Sequence, residues 1–286
     1  MNFSKKIISS LENIYISPLE LCNLNCKYCY TKKTKNILTN QQILRFIKKY
    51  NAFLKSRNHD FLKALSVGNP HSQRSKKYNE IFSLKSIIFC GGEVFTLKNF
   101  PRLVNNLISK NIFITIITNG TIDNLNKIKD PKNCQLIVSF DGPKTIHDFN
   151  RGQGNFAKSK KFVQHALKLG FPVEIFYLIT KESYPYRDKL DIFGLQKTYL
   201  VDRLGSLTPF QIKDIRKNYP VYPPKKFGCA MLSLQSDAKF YPCCESQKSI
   251  GSLSDSISKI LLNYLSAYQN SPLCSDPNYF CNLKND

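Results

Sequence analysis

The chain has no tryptophan, only two methionines, and 20 acidic residues against 42 basic ones. The lack of tryptophan does not thin the core, because 20 Phe and 15 Tyr help bring the apolar fraction of the 286 residues to 42%. That suffices for one sizeable domain with an appendage, and it excludes disordered and collagen-like classes. Acidic residues are too few to neutralise the lysines, which leaves a formal charge of +22. Arginine is scarce as well. Only eight of the 42 basic residues are Arg, the side chain best suited to bidentate phosphate and guanine contacts. The 34 lysines are dispersed, in short runs such as Lys76-Lys77 and Lys158, Lys160, Lys161. This reads as solvated faces in an A+T-biased composition, not as a nucleic-acid footprint, and it stays compatible with an acidic peptide partner.

Long apolar runs are also missing. The most apolar, Ile112 to Ile117, is broken by Thr115 and is far short of the roughly 20 residues that cross a bilayer. The start, MNFSKKIISSLENIYIS, lacks the apolar stretch of a secretory signal. The expectation is a soluble, cytoplasmic protein with no membrane partner. What the chain has in plenty is cysteine, ten residues in all. In a reducing compartment, cysteines at metal-ligand spacing read as thiolate ligands more readily than as disulfides.

Four segments have the β-branched and aromatic character of buried strands: Ile14 to Ser17, Ile87 to Cys90, Ile112 to Ile117 and Gln135 to Phe140. Val173 to Ile179 and Thr198 to Val201 are weaker candidates. Helical patterns lie between them. One begins at Thr39, with Gln42 three residues on as a capping-box signature, and continues through Ile43, Phe46, Ile47, Tyr50, Phe53 and Leu54. Others run from Phe100 to Lys110 and from Phe156 to Leu169, the latter closed by Gly170. The βαβα alternation predicts a parallel sheet with right-handed crossovers. A polar stretch at 58–86 reads as an inserted loop or lid. The barrel-like part is expected over 1–205, a linker with three prolines in YPVYPPKK over 206–226, and a second, cysteine-organised module over 227–286. That module's helix candidate, Ser252 to Tyr268, places Ile257, Ile260, Leu261, Tyr264 and Tyr268 on one face.

Just past the first strand stands Cys22-Asn-Leu-Asn-Cys26-Lys-Tyr-Cys29, a C-x3-C-x2-C cluster. Three thiolates this close can wrap one metal centre but leave it one protein ligand short. A structural zinc wants a closed shell of four ligands; an iron–sulfur cluster with an open iron is the other option. Further motifs follow in order. Gly91-Gly92-Glu93 ends the second strand, Thr118-Asn119-Gly120 the third, and Ser139-Phe140-Asp141-Gly142 the fourth, followed by His147-Asp148 and Arg151-Gly152-Gln153-Gly154-Asn155-Phe156. In a parallel barrel the C-terminal strand ends form one face, so these motifs are expected at one mouth. Gly91 and Gly92 let a backbone approach a ligand closely, and Glu93 offers an anionic acceptor. Ser139 and Asp141, two apart on an extended segment, can face the same way. Cys90 and Cys134 read as core packing, and His147 as a loop histidine with a structural or proton-transfer role.

The ordered set resembles the radical S-adenosylmethionine (SAM) enzymes. The resemblance implies a partial (β/α)6 TIM-like barrel. Cys22, Cys26 and Cys29 would hold three irons of a [4Fe–4S] cluster whose fourth iron SAM chelates. It further implies that Gly91, Gly92 and Glu93 meet the SAM amino group, that Thr118 and Asn119 belong to the cofactor site, and that Ser139 and Asp141 recognise ribose or amino acid. Arg151 would pair with the SAM carboxylate, and Tyr28 would pack beside the adenine. In the terminal module, Cys229, then Asp237-Ala238-Lys239-Phe240-Tyr241-Pro242-Cys243-Cys244, then Gly251-Ser252-Leu253 is similar to the opening of SPASM and twitch auxiliary-cluster extensions. Ala238 departs from that pattern, which has Gly there, and its distance from Cys229 is one residue short. Cys229, Cys243 or Cys244, Cys274 and Cys281 would supply four ligands for one auxiliary [4Fe–4S] cluster, with zinc as the rival. The implied activity is reductive cleavage of SAM to a 5′-deoxyadenosyl radical that abstracts hydrogen from a peptide or protein side chain. A small molecule such as a sugar or nucleoside is the alternative substrate, and a non-catalytic metal-binding regulator the alternative class. With roughly 13 residues before the first strand, no leader-binding domain is expected. A flavodoxin or ferredoxin is the expected electron donor.

Overall fold

The computed structural model describes residues 11–29, 31–56, 83–189, 191–201, 206–221, 231–244, 246 and 248–270. The chain forms two units. One comprises Met1–Pro18, Asn36–Ile87 and Gly228–Asp286, the other Leu19–Lys35 and Ile88–Phe227.

The second unit grows from the expected strands. β2 (Ser86–Phe89) enters it from the first, followed by β3 (Phe113–Thr118), β4 (Cys134–Phe140), β5 (Val173–Ile179) and β6 (Lys197–Val201). β3, β4, β5 and β6 pair in sequence order and in parallel, with Ile116 opposite Leu136, Val138 opposite Ile175 and Tyr177 opposite Tyr199. Of the helices expected between them, α2 (Phe100–Ile108) and α4 (Asn155–Lys168) are present. Among the described residues, the β3–β4 and β5–β6 connections instead hold short 3-10 turns, at Leu125–Lys127, Pro131–Asn133 and Tyr184–Tyr186. Two elements depart from expectation. α3 (Lys144–Arg151) carries the His147-Asp148 segment, which reads as a loop in the sequence, and α5 (Pro209–Asn218) stands in the expected linker. α5 opens with a capping box between Thr208 and Gln211, a signal masked by its polar composition.

Aromatic packing holds this unit together. Phe100 makes edge-on contacts with Phe89 at 5.2 Å and Phe95 at 5.6 Å, and Phe95 meets Phe162 of α4 at 5.9 Å. All four rings are buried, and such pairs contribute roughly 0.5–1.5 kcal/mol each beyond their area.

In the first unit β1 (Asn13–Ser17) pairs in parallel with β7 (Ser233–Gln235), and β8 (Lys239–Tyr241) and β9 (Gly251–Ser252) continue antiparallel. α1 (Asn40–Lys55) starts with the expected Thr39–Gln42 capping box. It buries Ile43, Phe46, Ile47, Tyr50 and Leu54; the Phe46 ring packs at a tilt against Phe240 at 5.0 Å, and the Tyr50 hydroxyl donates to the Leu11 carbonyl at 2.8 Å. α6 (Ile257–Asn270) buries Ile260, Leu261, Tyr264 and Leu265. The stretch read as a lid falls at 57–82 outside the described residues but for its last few, and so do Cys229, Cys274 and Cys281.

The β7–β8 turn puts a cost on the alanine at 238. Its φ is +63°, the left-handed region, and its N–H donates to the Gln235 carbonyl at 2.9 Å. A Cβ there costs about 1–2 kcal/mol, whereas glycine adds roughly 0.5–1 kcal/mol of unfolded-state entropy. Ala238→Gly should therefore stabilise the protein by about 0.5–1 kcal/mol, a thermal-melt shift of ~2 °C; an unchanged or lowered melting temperature contradicts this turn conformation.

Candidate active site

The loop Leu19–Lys35 that carries the three cysteines is closed at its base, where Glu20 accepts from the Thr34 backbone N–H at 3.1 Å and from its hydroxyl. Backbone bonds seat its beginning against the end of β2: Gly92 donates to the Leu19 carbonyl at 2.9 Å and Glu93 to that of Leu21 at 3.0 Å. The approach is so close that a Cβ on Gly92 would lie 1.8 Å from the Leu21 carbonyl oxygen. Gly92 is thus required by the protein's own backbone, one residue before Cys22, and not by a ligand alone. Gly91 has φ +127° and needs glycine for its conformation.

Glu93 lies fully buried. Its Oε1 accepts from the Phe95 N–H at 3.1 Å, its Oε2 from the Asn119 N–H at 2.8 Å, and the Thr118 hydroxyl is 2.9 Å from both oxygens. Burial pushes its carboxyl above the usual range, and those donors pull it back. The carboxylate therefore ties the end of β2 to the end of β3, through donors that all belong to the chain. Gly120, at φ +67°, packs where a Cβ would come within 2.8 Å of Val138.

Asn119 reaches the cysteine loop directly. Its Nδ2 donates to the Cys22 sulfur at 3.7 Å and to Asn23 Oδ1 at 3.0 Å, while Asn23 Nδ2 donates to Thr121 Oγ1 at 2.8 Å. The Leu24 N–H also points at the Cys22 sulfur, at 3.4 Å, and Cys29 Sγ lies 3.1 Å from the Thr31 hydroxyl. Asn23, Thr121 and Thr31 escape the sequence reading, since short polar residues beside a motif have no periodicity; only Asn23's place inside the C-x3-C spacing points to it.

The other side of the loop meets β4 and α3. The Tyr28 hydroxyl donates to Asp141 at 2.6 and 2.7 Å from its two oxygens, and Arg151 Nε donates to Asp141 Oδ1 at 2.8 Å. The Lys27 N–H bonds the Asn150 carbonyl at 3.0 Å. Burial raises the Asp141 carboxyl, and Arg151 opposes it; Arg151 itself stays cationic beside the carboxylate. Burial pushes the Cys26 thiol up to about 11 despite Arg151 nearby. Ser139 is half-buried on β4, and its hydroxyl makes no hydrogen bond among the described residues.

The His147-Asp148 pair is structural in its contacts. Asp148 accepts from the Phe156 N–H at 2.8 Å at the start of α4 and pairs with Lys144 at 2.9 Å. His147 is fully buried between Phe140 and Phe156, with ring centroids at 5.2 and 5.6 Å, and neither ring nitrogen has a partner among the described residues. Burial first, and Arg151 second, drive its pKa down to about 3, against the pull of Asp148. It is neutral at neutral pH. Of the remaining cysteines, Cys134 is buried at the start of β4, and Cys243 and Cys244 follow β8, the former buried.

No three described His, Cys, Asp or Glu side chains are drawn together as ligands for one ion. Three thiols on one loop, with no fourth protein ligand beside them among the described residues, suit a multi-iron cluster with an open iron better than a closed zinc shell.

Two outcomes are expected. Gly92→Ala should cost about 3 kcal/mol or more, the upper end of overpacking, in denaturant unfolding; wild-type stability contradicts the Leu21 approach. His147 has a folded pKa below its unfolded value, so the unfolded chain binds the extra proton. Its contribution is complete above about pH 6.5 and is lost as pH falls toward 3. His147→Phe should flatten the loss of melting temperature between pH 7 and 5, and an unchanged slope contradicts a buried neutral imidazole.

The model of the radical SAM superfamily matches residues 16–188. No curated protein matches the sequence. Among solved structures, polyhistidine-tagged anSMEcpe with bound AdoMet has a TM-score of 0.67 at 17% identity, over 92% of this chain and 83% of that one. Native anSMEcpe with AdoMet and the Cp18Cys peptide gives 0.67 at 18%, with the same coverage. Streptococcus suis SuiB bound to its precursor peptide SuiA gives 0.59 at 13%, over 92% of this chain and 65% of that one. At these identities the likeness is one of fold, the α/β partial barrel expected from the motifs. Because the family model spans the cysteine loop, all the strand-end motifs and more than half of the chain, the protein belongs to the radical SAM superfamily of enzymes, whose implied cofactors are SAM and a [4Fe–4S] cluster.

Proposed function

We propose that this enzyme reductively cleaves SAM at a [4Fe–4S] cluster held by Cys22, Cys26 and Cys29, and uses the 5′-deoxyadenosyl radical to abstract hydrogen from a peptide or protein side chain. The observation that carries the reading is the linkage of the three-cysteine loop to the ends of β2, β3 and β4 and to α3, all within one unit.

When bound, the cluster supplies an electron to the sulfonium of SAM and so the homolytic break of its C5′–S bond. The chain's residues orient and shield. Gly91 presents bare backbone at the end of β2, and Gly92 lets the cysteine loop close against that end. Glu93 and Thr118 fix that backbone relative to Asn119. Arg151 is anchored through Nε and keeps its outer guanidinium nitrogens for the SAM carboxylate, a charge-assisted contact. Anchoring of the Tyr28 hydroxyl on Asp141 holds the ring beside the cluster loop, where it can exclude water and flank the adenine. The Ser139 hydroxyl is available for ribose.

A peptide substrate is supported by the similar structures of anSMEcpe and SuiB, which hold bound peptides, and by a charge of +22 that favours acidic segments. We assign Cys243 or Cys244, with Cys229, Cys274 and Cys281, to one auxiliary cluster, and a flavodoxin or ferredoxin to electron delivery.

Anaerobically prepared protein should hold about eight irons per chain, or about four if the terminal cysteines carry none. Cys22→Ala should remove about four of them, and the reduced wild type should form 5′-deoxyadenosine from SAM. Zinc alone in the three-cysteine loop, or no 5′-deoxyadenosine above background with the cluster intact, overturns the reading.

A further inference from the structure

We infer that Asn119 is a positioning residue for the cluster, its side-chain amide donating to the Cys22 sulfur and thereby raising the cluster's reduction potential. The inference rests on the reading of Cys22, Cys26 and Cys29 as cluster ligands.

Asn119 stands at the end of β3, far in sequence from the loop it touches. Every polar atom of the residue is engaged. Its N–H donates to Glu93 Oε2 at 2.8 Å, and its carbonyl accepts from the buried Ser159 hydroxyl at 2.7 Å. Its Oδ1 accepts from the Thr121 N–H at 2.9 Å and the Thr121 hydroxyl at 2.7 Å. These bonds fix the amide plane, so Nδ2 has two directions to donate in. One meets Asn23 Oδ1 at 3.0 Å and the other the Cys22 sulfur at 3.7 Å, a normal reach for a large sulfur acceptor. No side-chain polar atom is left over for SAM, so the residue's contribution is made through the cysteine.

A thiolate bound to iron has no proton, and the amide is then the donor. Donation withdraws electron density from the sulfur, which favours the more negative, reduced cluster and raises its potential. The Leu24 N–H donates to the same sulfur from within the loop. Asn119 is the donor that comes from the barrel, and so the one that couples the potential to the strand end on which the cofactor site is built.

The test is a redox titration of the reconstituted whole chain without SAM, followed by electron paramagnetic resonance of the reduced cluster. At the wild-type midpoint, Asn119→Ala should lower the ratio of reduced to oxidised cluster by about tenfold, which is 59 mV for one electron. Asn119→Asp keeps the Oδ1 acceptor for Thr121 but loses the donor, and should shift the ratio the same way. Thr121→Val loosens the same network without touching the sulfur and should leave the ratio within about twofold of wild type. An unchanged midpoint in both Asn119 variants at full iron content overturns the inference while leaving the proposed function standing. An equal shift in Thr121→Val, or loss of iron from both Asn119 variants while Thr121→Val stays loaded, also overturns it, in favour of a purely structural role. A wild type that assembles no cluster overturns both readings.

Discussion

A single desolvated carboxylate organises the centre of the site. Glu93 has no cation against it among its hydrogen-bonded partners; two backbone N–H groups and one hydroxyl surround it. An ionised carboxylate out of water is tolerated only when its lone pairs are filled, so the burial of Glu93 and the order of residues 95, 118 and 119 stand or fall together. From Asn119 the order passes to Cys22 and Asn23, and through Ser159 to α4. From the adjacent Gly92 it passes to Leu21, the last residue before the first cysteine. The cysteine loop is thus located by an acid whose bonds run to the chain's own backbone.

The second half of the site uses opposite electrostatics. Asp141 is also buried, but it is balanced by the Arg151 cation and by the Tyr28 hydroxyl. Breaking such a buried pair from one side leaves the other charge uncompensated. The arrangement therefore fixes Tyr28 within the loop relative to β4 and α3, while Arg151 spends only its Nε on the pair.

Much of this was legible in the residues. The six strands read from the sequence fall within a residue or so of their expected bounds, and Thr39 with Gln42 begins a helix as its capping box implies. These signals are local: β-branched runs, and a cap that needs four residues. The motif residues were legible as a set, because glycines and polar residues at strand ends have few other reasons to be there. Their division of labour was not. Gly92 looks like space for a ligand, and the approach of Leu21 requires it as well; Glu93 looks like a receptor for an ammonium group, and its carboxylate also caps backbone amides. Both depend on which chain segment folds against them, which no spacing encodes. α3 is hidden in the sequence because eight residues carrying His147, Asp148, Asn150 and Arg151 on the buried side lack an apolar stripe. Ala238 stands out as a departure from a pattern, but its left-handed backbone needed the turn to be seen.

The pairing of β1 with β7 joins Tyr15 to Ser233 and Ser17 to Gln235, most of the length of the chain apart. During synthesis one edge of β1 must wait for its partner until the ribosome has passed the entire barrel sequence. Such non-local closure is slow and leaves strand edges open to wrong partners. The β7 edge of the first strand is consequently among the last contacts of its unit to close, whereas the cysteine loop that follows this strand is held by bonds to Gly92, Glu93 and Asn119, all of which precede β7 in the chain.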